Sequence, residues 1–155
     1  MTIGSLSRFV LACSLFTSFT ASAVPGLWQQ GYGQGNTEYN VTDASGKMFT
    51  INCTGNPDQN GFYQHSVFLT QTDNRMVSSH DDGTTITVVM NHQQYVIPSR
   101  LGWRNGDNAW YDFISDIRKA GQFDVYVNDR KAGTFSVDLT NATKALPTLA
   151  DCTNE

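Results

Sequence analysis

The stretch TTITVVMNHQQYVI, residues 84–97, decides the fold. Residues 84–90 are β-branched almost throughout, and QQYVI at 93–97 follows after only Asn91-His92. Two extended runs joined by a two-residue turn led by Asn predict an antiparallel β-hairpin. Pro98 cannot donate to a ladder and ends the second strand.

Working downstream, residues 107–120 (DNAWYDFISDIRKA) carry a different period. Trp110, Phe113, Ile114 and Ile117 fall at i, i+3, i+4 and i+7, one apolar stripe of an amphipathic helix. Asp107 is placed to cap its N-terminus and Gly121 its C-terminus. Arg118 and Lys119 stand in the last turn, where the helix dipole favours cations. Alternation then returns. Phe123, Val125 and Val127 share one face, as do Phe135, Val137 and Leu139, and residues 128–131 form the turn of a second hairpin. Thr140 is placed to cap a short final helix over 141–150, with Ala142, Ala145, Leu146 and Leu149 inward and Pro147 shortening it.

Upstream, Tyr39 and Val41 alternate in 38–42, and Phe49, Ile51 and Cys53 alternate in 47–53 around a turn at 43–46, a third hairpin with Cys53 inward. Residues 54–60 are a loop by composition and 64–70 a strand on which His65 alternates with Val67 and Leu69. Residues 71–83 are polar. Residues 24–36 (VPGLWQQGYGQGN) read as a loose arm carrying two aromatic anchors, Trp28 and Tyr32. The expected class is α+β: an antiparallel β-sheet or small sandwich of six to seven strands, with one amphipathic helix and a short C-terminal helix. No internal repeat is present.

The N-terminus reads as an address. Arg8 is the only charge before Glu38, residues 9–16 (FVLACSLF) form a short apolar core, and Ala21-Ser22-Ala23 supplies small residues for cleavage. This predicts a secretory signal peptide over 1–23 and a single exported β-rich domain over 24–155. Cys13 lies inside the apolar run, which continues to Phe19, so a lipid-anchored cysteine fits less well. Removing 23 of 155 residues leaves 132, with no second long apolar run and no membrane span. The site has a bacterial look, so the expected destination is the periplasm or the external medium.

Export leaves Cys53 and Cys152, an even count that predicts one disulfide in an oxidising compartment. The alternative is two free thiols, one of them a nucleophile, for which no His has a supporting position.

The whole chain has 155 residues, 10 Lys or Arg against 14 Asp or Glu, and 15% charged residues, which is one domain with too little charge for disorder along its whole length. A net charge of −4 without a basic stripe argues against nucleic acid as a partner. No G-x-S-x-G, H-E-x-x-H, S-x-x-K or P-loop occurs. Gly31-Tyr32-Gly33-Gln34-Gly35 neither follows a strand nor opens a helix, so it is no phosphate cradle. Asp107, Asp112 and Asp116 are the polar face of the helix. His80-Asp81-Asp82 lacks the partners of a metal set and reads as a solvated turn. No metal and no cofactor are expected, and the reading is non-enzymatic.

The most unusual surface is 100–110 (RLGWRNGDNAW), which gathers two Trp and two Arg around Gly and amides. Trp and Arg dominate protein interfaces. The candidate binding residues are Trp103, Arg100 and Arg104, with Trp28 and Tyr32 from the arm. Trp28 serves either as a core plug or as a ligand platform, and Trp110 belongs to the helix stripe. Asn40, Asn52 and Asn141 open glycosylation sequons that carry no meaning in a bacterial periplasm.

The tail, from Val125-Tyr126-Val127-Asn128 through Phe135-Ser136-Val137-Asp138-Leu139 to Ala145-Leu146-Pro147-Thr148-Leu149-Ala150-Asp151-Cys152, resembles the end of periplasmic proteins of the invasion-associated locus B type. Those carry a strand, an F-x-L strand, a short A-L-x-x-L helix and often a final cysteine. The chain departs from them in cysteine number and in its N-terminal half. The resemblance implies an exported β-rich accessory protein without established catalysis, and no site residue is carried over from it.

The expected function is a periplasmic or secreted module that binds another protein: an inhibitor, an immunity protein, or an assembly or virulence accessory. The alternatives are a carbohydrate or peptidoglycan binder using Trp28, Tyr32 and Trp103, and a small hydrolase using His80 with Asp81 or Asp82.

Overall fold

A computed structural model describes residues 23–147 and 152–153. The expected signal segment, apart from Ala23, and Leu149 of the expected final helix lie outside the described residues. Nine strands and two helices are described, in an α+β arrangement of two antiparallel sheets. The first sheet is ordered β1-β2-β3-β4-β5: β1 (Gln29–Gly33), β2 (Asn36–Thr42), β3 (Met48–Thr54), β4 (Ser66–Thr70) and β5 (Met76–Ser78). The second is ordered β7-β6-β8-β9: β6 (Ile86–Met90), β7 (Gln93–Val96), β8 (Gln122–Val127) and β9 (Arg130–Ser136).

Three hairpins share one local cause. Gln34-Gly35, Asn91-His92 and Asn128-Asp129 each place both residues at positive φ. That is the two-residue turn whose twist matches the twist of the strands it joins. The registers agree: Gly33 faces Asn36, Met90 faces Gln93 and Val127 faces Arg130. The third turn is therefore two residues long, not the four expected. β9 starts earlier and absorbs the difference as a bulge at Ala132, between the pairs Val125–Gly133 and Tyr126–Lys131. The Lys47 ammonium donates to the Ala132 carbonyl at 2.5 Å.

The inner faces of the two sheets meet through rings. Phe49 of β3 packs at 5.0 Å from Phe123 and 5.8 Å from Phe135, both of the second sheet. Val41, Ile51, Val88 and Val125 fill the same buried layer. The first helix, α1 (Arg104–Ile117), buries the stripe Trp110, Phe113, Ile114 and Ile117 as expected. Tyr95 of β7 ties that helix to the second sheet by donating to Asp116 at 2.6 Å.

Several boundaries differ from the sequence reading. α1 starts at Arg104, three residues before Asp107, and its N-cap position is Trp103, without a side-chain cap. Asp107 instead accepts the Gly102 N–H at 2.9 Å, bracing the loop that enters the helix. Gly121 is not the C-cap: Lys119 and Ala120 donate to Asp116 and Ile117, a tightened last turn that satisfies the carbonyls without a left-handed residue. The second helix, α2 (Leu139–Ala145), is capped by Asp138, which accepts the Asn141 N–H, and not by Thr140. Leu139 accordingly opens a helix and is exposed, instead of extending a strand face.

The strand count rises above six or seven for two reasons. β5 is a short strand inside the polar run, paired to β4. β1 lies in what composition marks as a loose arm. Trp28, just before it, is only 2% exposed, between Phe49 and Phe123. Its N–H donates to Asn141 Oδ1 at 2.5 Å and its carbonyl accepts from Asn141 Nδ2 at 3.1 Å. That clamp and the Gln34-Gly35 turn hold the arm in register.

Cys53 and Cys152 form the expected disulfide, with Cα atoms 5.2 Å apart. Trp110 Nε1 donates to the Cys152 carbonyl at 2.7 Å. The C-terminal region is thus tied to β3 by a covalent bond and to α1 by a hydrogen bond.

Candidate functional site

An open cleft of about 750 Å³ lies between the loop 58–64 and the loop 99–103. The first loop is built on Asp58. Its Oδ1 accepts the N–H groups of Asn60 at 2.8 Å and Phe62 at 3.0 Å, and its Oδ2 accepts from Gln64 at 3.0 Å. The Phe62 N–H is the largest cause holding the Asp58 carboxyl below its ordinary range, against a desolvation effect; the Asn60 N–H, Gln64 and the charge of Arg100 add to it. Gly61, at positive φ, closes the turn.

Gln64 joins the two loops. Its Nε2 donates to the Leu101 carbonyl at 3.0 Å, and its Oε1 accepts the Leu101 N–H at 2.8 Å. An amide that satisfies both backbone groups of one residue acts as a strand partner would. Phe62 lies on Gly102, where an added Cβ would sit 2.5 Å from the ring and where φ is +95°. Only glycine meets both demands.

Trp103 is 53% exposed and still fixed. Its indole N–H donates to the Arg100 carbonyl at 2.9 Å, and the ring covers Gly106 so closely that a Cβ there would come within 2.5 Å of Nε1. Phe62, 39% exposed, is the second aromatic of the cleft. Arg100 is exposed and, among the described residues, is in no ion pair.

His80 also lines the cleft, with Nε2 at 3.1 Å from the His65 carbonyl. Asp81 does not join it. Its carboxylate accepts the Ser78 N–H at 2.8 Å, and its carbonyl accepts from Thr84. His65 is buried, with Tyr63 stacked at 5.9 Å and Trp110 at 5.7 Å between ring centroids. Its Nδ1 accepts the Thr54 N–H at 3.1 Å. Burial lowers its pKa, and the neighbouring Thr153 backbone opposes that shift.

Of the residues singled out in the sequence, the cleft brings together Arg100, Trp103 and His80. Arg104 is exposed as the first residue of α1 and does not line it. Tyr32 is 79% exposed, in a separate depression with Asn36 and Glu38. Trp28 is core and is withdrawn as a ligand platform, because its ring completes the aromatic layer between the sheets. Asp58, Phe62 and Gln64 were missed. The Asp58-Gln59-Asn60-Gly61 run is a legible turn signal, but its meeting with residues 99–103 is not written in either segment.

Fold and cleft define a small α+β protein, closed by one disulfide, with an ordered aromatic recess on its surface. A family model named YfjT matches residues 26–146. The proteins YkfB and YfjT of Escherichia coli (strain K12) are each 77% identical over 155 residues, covering all of both chains. The chain belongs to the YfjT family. Neither relative's name states an activity, and no solved structure matches. None of these findings bears on the likeness to proteins of the invasion-associated locus B type.

Proposed function

We propose that the chain is a non-enzymatic protein-binding module of the bacterial periplasm or external medium, and that the cleft around Trp103 is its recognition surface. The Cys53–Cys152 disulfide is compatible with that location. So is the absence, among the described residues, of a helix long and apolar enough to cross a membrane. An inhibitor, an immunity protein, or an assembly or virulence accessory all fit such a module.

The single observation that carries the reading is Trp103. Leaving a large ring more than half in water while holding it by a hydrogen bond and a glycine seat gives no folding advantage of comparable size. It does remove the entropy cost of fixing that ring on binding. Trp and Arg are enriched among interface hot spots, and here a preformed Trp103 stands beside the exposed Arg100. The glycan reading loses Trp28 to the core and has Tyr32 in a different depression, so it rests on Trp103 alone. The hydrolase reading is weakened: Asp81 is directed to the backbone of Ser78, and Asp82 is not among the residues lining the cleft with His80.

Immobilised chain should retain a specific protein from periplasmic extract. Trp103→Ala should weaken that complex at least about 30-fold, the loss of a hot-spot residue worth 2 kcal/mol or more. Equal retention by the parent chain and Trp103→Ala, or retention of nothing, would remove the reading. Quenching of Trp fluorescence across a glycan panel would transfer the cleft to the carbohydrate alternative.

A further inference from the structure

Among the described residues the first sheet ends at β1, which is paired on one side only and has all five residues exposed. The phase of its free backbone groups follows from its turn. A two-residue turn at Gln34-Gly35 makes Gly33 and Asn36 a hydrogen-bonded pair, so Gly31 and Gln29 also direct their N–H and C=O groups into β2. Gln30 and Tyr32 direct theirs outward. Trp28 belongs to the same outward set, and it is the residue whose N–H and C=O are both taken by the Asn141 amide. Among the described residues the edge is therefore closed at Trp28 and open over Gln30 and Tyr32.

The other edges are protected. β5 has three residues, β9 carries Arg130, Lys131 and a bulge, and β7 has four residues followed closely by Pro98. Short edges, charges, bulges and Pro are the devices that keep sheet edges from pairing. β1, Gln-Gln-Gly-Tyr-Gly, has none of them.

We propose that β1 is a self-association edge: two copies pair their β1 strands antiparallel about a two-fold axis at Gly31, joining their five-stranded sheets into one of ten. The register is self-complementary. Gln30 of each copy meets Tyr32 of the other as a hydrogen-bonded pair, which uses every outward group left free between Gln30 and Tyr32. Gly31 meets Gly31 as the non-hydrogen-bonded pair, where Cα atoms approach most closely, about 4.5 Å. No charge lies on the strand, so the symmetric arrangement sets no like charges opposite each other. The exposed Tyr32 ring gains Gln30 of the second copy as its cross-strand neighbour. This surface does not include the cleft, so its test is separate from that of the binding reading.

So short a pairing falls well below the ~1,200 Å² of a standard complex, so the dimer is expected to be weak and concentration-dependent. Sedimentation equilibrium of the oxidised chain, from about 10 µM to about 1 mM, should therefore show the mean mass rising from one chain toward two. Gly31→Cys should form a cross-linked dimer on oxidation, since its two Cα atoms fall within disulfide range, with the parent chain as blank for Cys13. Gly33→Cys should not, because its two copies would stand about 13 Å apart. Neither glycine has an atom within 4 Å of an added Cβ, nor a positive φ, so both variants keep the fold.

Gln30→Lys with Tyr32→Lys should weaken association at least tenfold, whereas Gln30→Lys with Tyr32→Glu, which sets opposite charges across the axis, should retain it. A single-chain mass at the highest concentration would overturn the proposal. So would equal cross-linking at positions 31 and 33, or equal loss in both charged variants.

Discussion

Breaking the Cys53–Cys152 bond is the most demanding test of the architecture. The two cysteines are 99 residues apart in sequence. In the loop-entropy account, a bond closing a loop of that length withholds about 4.7 kcal/mol of conformational freedom from the unfolded chain. Native domains are stable by about 5–15 kcal/mol, so the bond is worth a third or more of the total. Folded contacts are expected to change little on its loss, since Trp110 also holds the Cys152 carbonyl and β3 is paired on both sides, to β2 and β4. The effect must therefore appear as a more extended unfolded state. Urea unfolding followed by Trp fluorescence, with and without reductant, should lower the midpoint by about 2–3 M at an m of about 1.5–2 kcal/mol/M. The slope m should rise as more surface is exposed on unfolding. Cys53→Ala with Cys152→Ala should match the reduced chain to within the small volume of two sulfurs. A loss below about 1 kcal/mol, with m unchanged, would refute the reasoning. It would mean that the bond constrains little in the unfolded chain.

Two further predictions follow from buried polar groups. Asn141→Ala leaves the Trp28 N–H and C=O without partners, and should cost about 2–3 kcal/mol by urea unfolding; Asn141→Asp, which keeps the acceptor and loses the donor, should cost less. His65 has its folded pKa lowered by burial, so folding favours the neutral ring. The stability it contributes is complete above the ordinary value near 6.5. It is lost as pH falls from there through the folded value, at a slope of at most about 1.4 kcal/mol per pH unit. His65→Phe should flatten that acid limb in thermal melts, and an unchanged limb would show that His65 does not carry it.

The sequence alone determined whatever depends on neighbours along the chain. The stripe of α1 follows from a period of 3.6, and the β6–β7 hairpin from β-branched runs around Asn91-His92. The disulfide follows from arithmetic, because outside the expected signal only Cys53 and Cys152 exist to pair. The start of α1 lies three residues before Asp107, whose carboxylate accepts the Gly102 N–H from the entering loop instead of capping the helix. The tertiary structure alone decided the rest. Gln-Gln-Gly-Tyr-Gly has no pattern that predicts a strand; β1 exists because Asn141, 113 residues away, clamps Trp28 beside a tight turn. The same contact sends Trp28 into the core. The cleft has the same origin, since Gln64 must reach Leu101 across 37 positions before Phe62 and Trp103 share a surface. Periodicity and turn chemistry are local and survive in one dimension. A side-chain amide standing in for a missing strand is a long-range choice, and it has no signature until the chain has folded.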